Sequence, residues 1–318
     1  MVKDILVLLA SMSTLCAAYD YSYFNGNPTL APNGEQITYI QEAGILQFCP
    51  APGAGVTSSA ISYNSSKIKS WATGYQDLEY GSSATNPTFN DSWKTPENAV
   101  GPVTSVEMTE GVVCLGDGGT ITMTFSQGIS NGAGYDFAVF ENGFSSTYLE
   151  LAYVEVSSDG VNYVRFPNFY MGETSINDLD QTQTGQNYPT NVYNLASKYE
   201  SGIGHGFDLE ELQYAYDYVK NGGTGFTDEY AQSLLNNFEK LDLNNIGYVR
   251  IIDILGEGGQ VDSVGHVIYD PSGANPGAPG FDLKGIGVIN EGVVVPEPAT
   301  FAFLLAAIAS IVVIRRKR

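Results

Sequence analysis

Residues 149–166 read LELAYVEVSSDGVNYVRF, and the alternation along them is that of a strand rather than a helix. Side chains two apart share a face of a strand, so Ala152, Val154 and Val156 form one apolar edge. Asp159-Gly160 supplies turn residues, and Val161 to Phe166 then returns, which predicts an antiparallel hairpin. The same pattern recurs on both sides of it. TITMTF (120–125) puts Ile121, Met123 and Phe125 on one face and three threonines on the other. YDFAVF (135–140), YVRIIDI (248–254) and FDLKGIGVI (281–289) read as further strands, and EQITYI (35–40) is the clearest one upstream. Short alternations separated by Gly, Ser, Asn and Pro predict a mainly β chain folded as an antiparallel β-sandwich.

One region departs from period two. DLEELQYAYDYVKNGG (208–223) carries Leu209, Leu212, Tyr216 and Val219 at helical spacing and ends on Gly222-Gly223. TDEYAQSLLNNFEKLDL (227–243) repeats the theme, with Thr227 as a cap and Leu234, Leu235 and Phe238 as an apolar stripe. The expectation is a helical hairpin, about 208–242, inserted between two strands. Residues 168–206 are expected to form a long surface loop, and the Gly-rich YDPSGANPGAPG (269–280) another.

The chain has 318 residues and a net charge of −21. Residues 19–295 hold 9 of the basic and 33 of the acidic residues, which makes that segment near −24. Such a surface repels nucleic acid and attracts cations, so a nucleic-acid partner is excluded. Only Cys49 and Cys114 fall within it. They are a disulfide candidate or two buried thiols; a bridge would close a 66-residue loop and stabilise by roughly 4 kcal/mol.

The two ends carry different information. Lys3, the apolar run Ile5 to Leu15 and the small residues Cys16-Ala17-Ala18 predict a signal peptide over 1–18. At the other end, 299–314 contains no charge. A helix of that length spans only about 24 Å, short for a hydrocarbon core of about 30 Å. Arg315, Arg316, Lys317 and Arg318 flank it on the side expected to stay in the cytoplasm. Together they place a folded ectodomain, 19–295, outside the cytoplasmic membrane.

Pro296-Glu297-Pro298, the uncharged segment and the terminal basic cluster, in that order over 296–318, resemble the PEP-CTERM sorting signal. The resemblance implies export through the secretion machinery and cleavage by an exosortase in a Gram-negative bacterium that makes exopolysaccharide. The transmembrane helix 299–314 then marks an inner-membrane intermediate, and the product belongs to the cell surface or extracellular matrix. A second resemblance lies in the ectodomain. VEVSSDGVNYVRF (154–166) resembles the hairpin of discoidin and galactose-binding-like jelly rolls, with Tyr163 where tryptophan is usual. WATGYQDLEYG (71–81), ENAVGP (97–102), LGDGGTITMTF (115–125) and DFAVFENGF (136–144) resemble bacterial cell-surface proteins that often carry the same tail. These likenesses imply a jelly-roll-like sandwich, often with a structural calcium.

Several carboxylates stand where strand parity calls for an apolar residue. Asp136 shares a face with Ala138 and Phe140, Glu150 with Ala152, Val154 and Val156, Asp253 with Val249 and Ile251, and Asp282 with Ile286 and Val288. Glu141 and Asn142 follow a strand and can add oxygens. A buried carboxylate needs a partner, and Arg165 and Arg250 are the only arginines within 19–295. Calcium takes six to eight oxygen ligands and would satisfy several of these groups at once. The alternative is that they sit in water at strand ends or accept backbone N–H groups. Two histidines, His205 and His266, lack zinc-ligand spacing, and no G-x-S-x-G elbow occurs.

Sugar binding needs exposed aromatic faces beside hydrogen-bonding groups. Trp71, Tyr75 and Trp93 lie among polar, Gly-rich segments and are the candidates, with core packing as the alternative for the tryptophans. The resulting expectation is a non-catalytic carbohydrate-binding or adhesive protein, supported by calcium, whose partner is exopolysaccharide. A matrix-acting glycosidase or polysaccharide lyase is the first alternative, and a structural matrix protein with no defined ligand the second. Two carboxylates about 5–10 Å apart in an open cleft would mark the enzyme.

Overall fold

The computed structural model describes residues 59–81, 91–143, 149–170, 192–255, 259–270 and 280–294. In chain order the first strands are β1 (Ala60–Ser62), β2 (Ser70–Trp71), β3 (Gly74–Glu79), β4 (Val113–Cys114), β5 (Thr120–Ile129), β6 (Phe137–Glu141), β7 (Ala152–Ser157) and β8 (Val164–Arg165). Next come β9 (Phe169–Tyr170), β10 (Val192–Tyr193), β11 (Leu195–Ala196) and β12 (Ile203–Phe207), then helices α1 (Glu210–Lys220) and α2 (Asp228–Asn237). The chain continues through β13 (Ile246–Asp253), β14 (Gln260–Val261), β15 (Val267–Ile268), β16 (Asp282–Val288) and β17 (Glu291–Val294).

The strands form a β-sandwich. One sheet runs β1-β12-β6-β16-β2, with β4 also on β16; the other runs β11-β7-β13-β5-β17, with β3 on β5 and β8 on β7. Every pairing is antiparallel. The long strands alternate between sheets along the chain, so neighbours in a sheet are distant in sequence. One apolar cluster joins the sheets: Ile121 and Met123 from β5, Val154 and Val156 from β7, and Val249 and Ile251 from β13 meet Phe137, Val139, Phe207, Ile286 and Val288. Phe137 stacks on Phe207 with ring centroids 5.3 Å apart.

The 149–166 segment folds as its alternation dictates. Ala152, Val154 and Val156 enter the core, and the backbone turns at Gly160, where φ is +73°. Asp159 fixes that turn by accepting from the N–H groups of Val161 and Asn162, each at 2.8 Å.

The two helices lie within the expected insert. Thr227 caps α2 by accepting from the Tyr230 N–H at 3.2 Å, and Asp208 accepts from Glu210 N–H at 3.0 Å at the start of α1. Leu209, Leu212, Ala215 and Tyr216 from the first helical stretch, and Tyr230, Leu234 and Phe238 from the second, are buried in the main core. Leu235 is not part of that stripe: it is exposed, because it follows Leu234 by a 100° turn.

The expected surface loop at 168–206 is a correction. Its described residues form β9, β10, β11 and β12, with Phe169, Val192, Leu195 and His205 buried. The strand β12 reads Ile-Gly-His-Gly-Phe, so its alternation is hidden by glycines. A Cβ at Gly204 would lie 2.8 Å from the Phe140 ring, and one at Gly206 would lie 2.7 Å from Tyr135. The rings occupy the space that apolar side chains would otherwise fill.

Among the described residues no helix is long and apolar enough to cross a membrane. The signal peptide (1–18), the EQITYI strand, Cys49 and the sorting segment 296–318 with its helix all lie outside the described residues.

Candidate metal centre

Strand ends, more than strand faces, decide which carboxylates meet. Glu141 ends β6, Glu150 precedes β7, Asp253 ends β13 and Asp282 begins β16. Because neighbouring strands are antiparallel, these termini coincide: Leu283 pairs with Glu141, Asp282 with Cys114, and Asp253 with Ala152. Asp270, just beyond β15, joins them, its carboxylate accepting from the Leu151 N–H at 2.5 Å. All five are buried, none more than 4% exposed.

The group is electrostatically self-repelling. Burial, followed by the charges of Asp282, Glu141, Asp270 and Asp253, pushes Glu150 well above the usual carboxylate range. Asp270 is raised by burial and then by Asp253, Asp117 and Glu141. Burial and Asp282 push Glu141 up to about 8, and burial pushes Asp282 up to about 6. Lys284 faces Glu141 and Asp282, but its ammonium donates to the Glu107 carbonyl at 2.5 Å and burial lowers its own pKa. One lysine does not balance five carboxylates.

Hydrogen bonds satisfy only part of the set. Asp253 accepts from Phe281 N–H at 2.6 Å and Gly118 N–H at 2.7 Å. Asp282 accepts from the Asn142 amide at 2.8 Å, and Glu141 from the Ser197 hydroxyl at 2.6 Å. The second oxygens of Glu141 and Asp282, and the amide oxygen of Asn142, are buried with no hydrogen-bond partner among the described residues. Orphaned buried acceptors of this kind call for a donor or a cation. The donor set is all oxygen, which fits a hard divalent ion such as calcium. Among the described residues, no group of three or more His, Cys, Asp or Glu side chains stands close enough together to hold a metal ion as they lie.

Asp136 belongs elsewhere, which separates it from Glu141, Glu150, Asp253 and Asp282, with which the sequence grouped it. It precedes β6, at the end of that strand opposite Glu141. Its oxygens accept from Gly132 N–H at 2.8 Å, Leu209 N–H at 2.7 Å and the Asn290 amide at 2.7 Å. It is a structural hub that ties the start of α1 to the sheet. Parity reports the face on which a side chain lies and not the end of the sandwich. Asp270 was missed because it stands outside any strand pattern; the one available signal was its spacing of two from Ile268.

The aromatic candidates do not form a shared platform. Trp71 is half-buried against Phe140, ring centroids 5.3 Å apart, in a cluster with Ile61 and Val103. Trp93 packs with Tyr80 around Cys114 in a different cluster. Tyr75 leans on the main core, and its hydroxyl donates to Glu97 at 2.7 Å. Cys114 is fully buried, with its thiol 3.8 Å from the Gly280 carbonyl, and burial followed by Asp282 raises its pKa far out of the reactive range.

Sequence reasoning also missed an ion-pair ladder on the outer face of the β7 sheet. Register places Glu155 between Arg165 on β8 and Arg250 on β13. Both arginines bond its carboxylate, the two Nε contacts at 2.9 Å each. Arg165 covers the Tyr153 ring at 3.9 Å and Arg250 the Tyr163 ring at 3.8 Å. No known protein-family model matches the chain, and no curated protein does.

Proposed function

We propose that this chain is an exported cell-surface or exopolysaccharide-matrix protein, a jelly-roll-like sandwich that binds carbohydrate without catalysis and holds calcium at one end. The observation that carries the reading is the buried set Glu141, Glu150, Asp253, Asp270 and Asp282, with its orphaned oxygens. These five would hold the ion, and Asn142 would add an amide oxygen. Calcium bound there neutralises charge that the protein leaves unpaired. Extracellular modules take calcium at affinities of about 10⁻⁴–10⁻³ M, so such a site fills after export. The Pro296-Glu297-Pro298 tail supports the same compartment and an exosortase as processing partner. The alternation of the long strands between sheets supports the jelly-roll-like arrangement. These five carboxylates are buried rather than ranged along an open cleft, which supports an ion site over glycoside cleavage at that end of the sandwich.

A glycan array tests the reading. The full-length chain, in a sugar-free non-ionic detergent, is applied in millimolar calcium and again after chelation. Glycan binding that chelation abolishes is the expected result. Binding indifferent to chelation removes calcium from the account, and no binding at all removes carbohydrate.

A further inference from the structure

The insert and the sandwich enclose a cleft of about 350 Å³ that nothing in the reading above uses. Its floor is the outer face of the β7–β8 hairpin, with Tyr153 under the Arg165 guanidinium. One wall is the first turns of α2, where Thr227 and Ser233 present hydroxyls. The other is the β14 segment from Gln260 to Ser263, held in place by the Tyr153 hydroxyl, which donates to the Val261 carbonyl at 2.7 Å. The volume sits at the lower end for small-molecule sites, enough for roughly one or two sugar rings.

The chemistry of the lining is specific. Asn168 is 2% exposed and lines the cleft; its amide donates to Phe166, while its carboxamide oxygen has no partner among the described residues. Gln260 spends its oxygen on the Leu255 N–H at 2.6 Å, which leaves its amide to donate. Arg165 is held flat by Glu155 and offers the rest of its fork. Donors and acceptors therefore interleave over an aromatic-guanidinium floor. Glu229 and Asp262 flank the cleft and disfavour an anionic ligand, and the polar walls disfavour lipid.

The geometry points to this cleft, rather than the Trp71, Tyr75 and Trp93 region, as the subsite for a neutral saccharide. This rests on the carbohydrate-binding reading and names the site and ligand class within it. Hydroxyls of the sugar meet Asn168, Gln260, Thr227 and Ser233, and one ring face lies toward Arg165 and Tyr153. The inserted helix α2, foreign to the sandwich, supplies one wall, through Thr227, Glu229, Tyr230 and Ser233.

The full-length chain, again in sugar-free detergent, is titrated with neutral and with uronate-bearing oligosaccharides. Ser233 is exposed on α2, so Ser233→Trp fills the mouth without entering the core. It is expected to weaken neutral-saccharide binding roughly tenfold or more with an unchanged melting temperature. Ser233→Ala removes one hydroxyl contact and should weaken binding only about threefold, and Gln260→Ala, a second mild variant, should likewise weaken binding about threefold. Parent-like binding by both Ser233→Trp and Gln260→Ala overturns the cleft and leaves the carbohydrate reading standing. Selective binding of uronates overturns the ligand class. Failure of the parent chain to bind any saccharide overturns both.

Discussion

The calcium response should depend on pH in a direction set by Glu141. Without a cation, burial and the Asp282 charge raise its pKa from 4.5 to about 8 in the folded protein. A folded pKa above the unfolded one means stability that is fully present below 4.5 and lost as pH rises to about 8. At about 1.4 kcal/mol per pH unit, that interval amounts to at most roughly 5 kcal/mol of ion-free stability. Asp282 adds a loss of the same sign between 3.8 and about 6. Calcium needs the ionised carboxylates, so its benefit runs the other way. At a calcium concentration of 100 Kd the gain is about 2.7 kcal/mol. For a chain of this size that gain raises the melting temperature by about 4–5 °C at pH 8. At pH 5 the ion must first expel protons, and the rise should fall below about 2 °C. Scanning calorimetry in calcium, magnesium and chelator at both pH values reads this out. Glu141→Gln should lose the calcium shift yet, in chelator at pH 8, melt above the parent. Equal shifts at pH 5 and pH 8, or a magnesium shift matching that of calcium, would refute the reasoning.

Asp136→Ala strips the acceptor from three donors, of which the Leu209 N–H is buried, and should lower stability by about 2–3 kcal/mol in urea unfolding, with the calcium shift retained. Glu155→Gln leaves Arg165 and Arg250 uncompensated; because their side chains are 34% and 33% exposed, the expected loss is about 2–3 kcal/mol, read from the same midpoint. Replacing Pro296, Glu297 and Pro298 by alanine should leave uncut protein in the inner membrane, visible by fractionation, and normal release of that variant would remove the sorting reading.

Local alternation made the hairpin at 149–166 and the strands β5, β6, β13 and β16 legible, because each buries one face of a period-two pattern. It failed at β12, where Gly204 and Gly206 make room for rings that belong to Tyr135 and Phe140. Parity also marked Glu150, Asp253 and Asp282, three of the five carboxylates that converge, and Glu141 was marked by its place after a strand. Parity could not separate Asp136 from them, since strand ends are sorted only by the antiparallel register between distant segments. The same non-local register places Arg165 and Arg250 on Glu155, and no spacing within the chain announces it. Trp71 and Trp93 lie in polar surroundings along the sequence but pack against Phe140 and Cys114, contacts made through tertiary structure.

Asp253 and Asp270 stand at the two feet of the β14–β15 arm, and that arm's outer stretch walls the cleft. If the proposed ion clamps the feet, it would also shape the wall, and metal and sugar would share one ordering step. By thermodynamic reciprocity, each would then tighten the other by the same factor. A chain still inside a calcium-poor cell would carry a slack, weakly binding arm, and would become adhesive only on reaching the medium where its ligand waits.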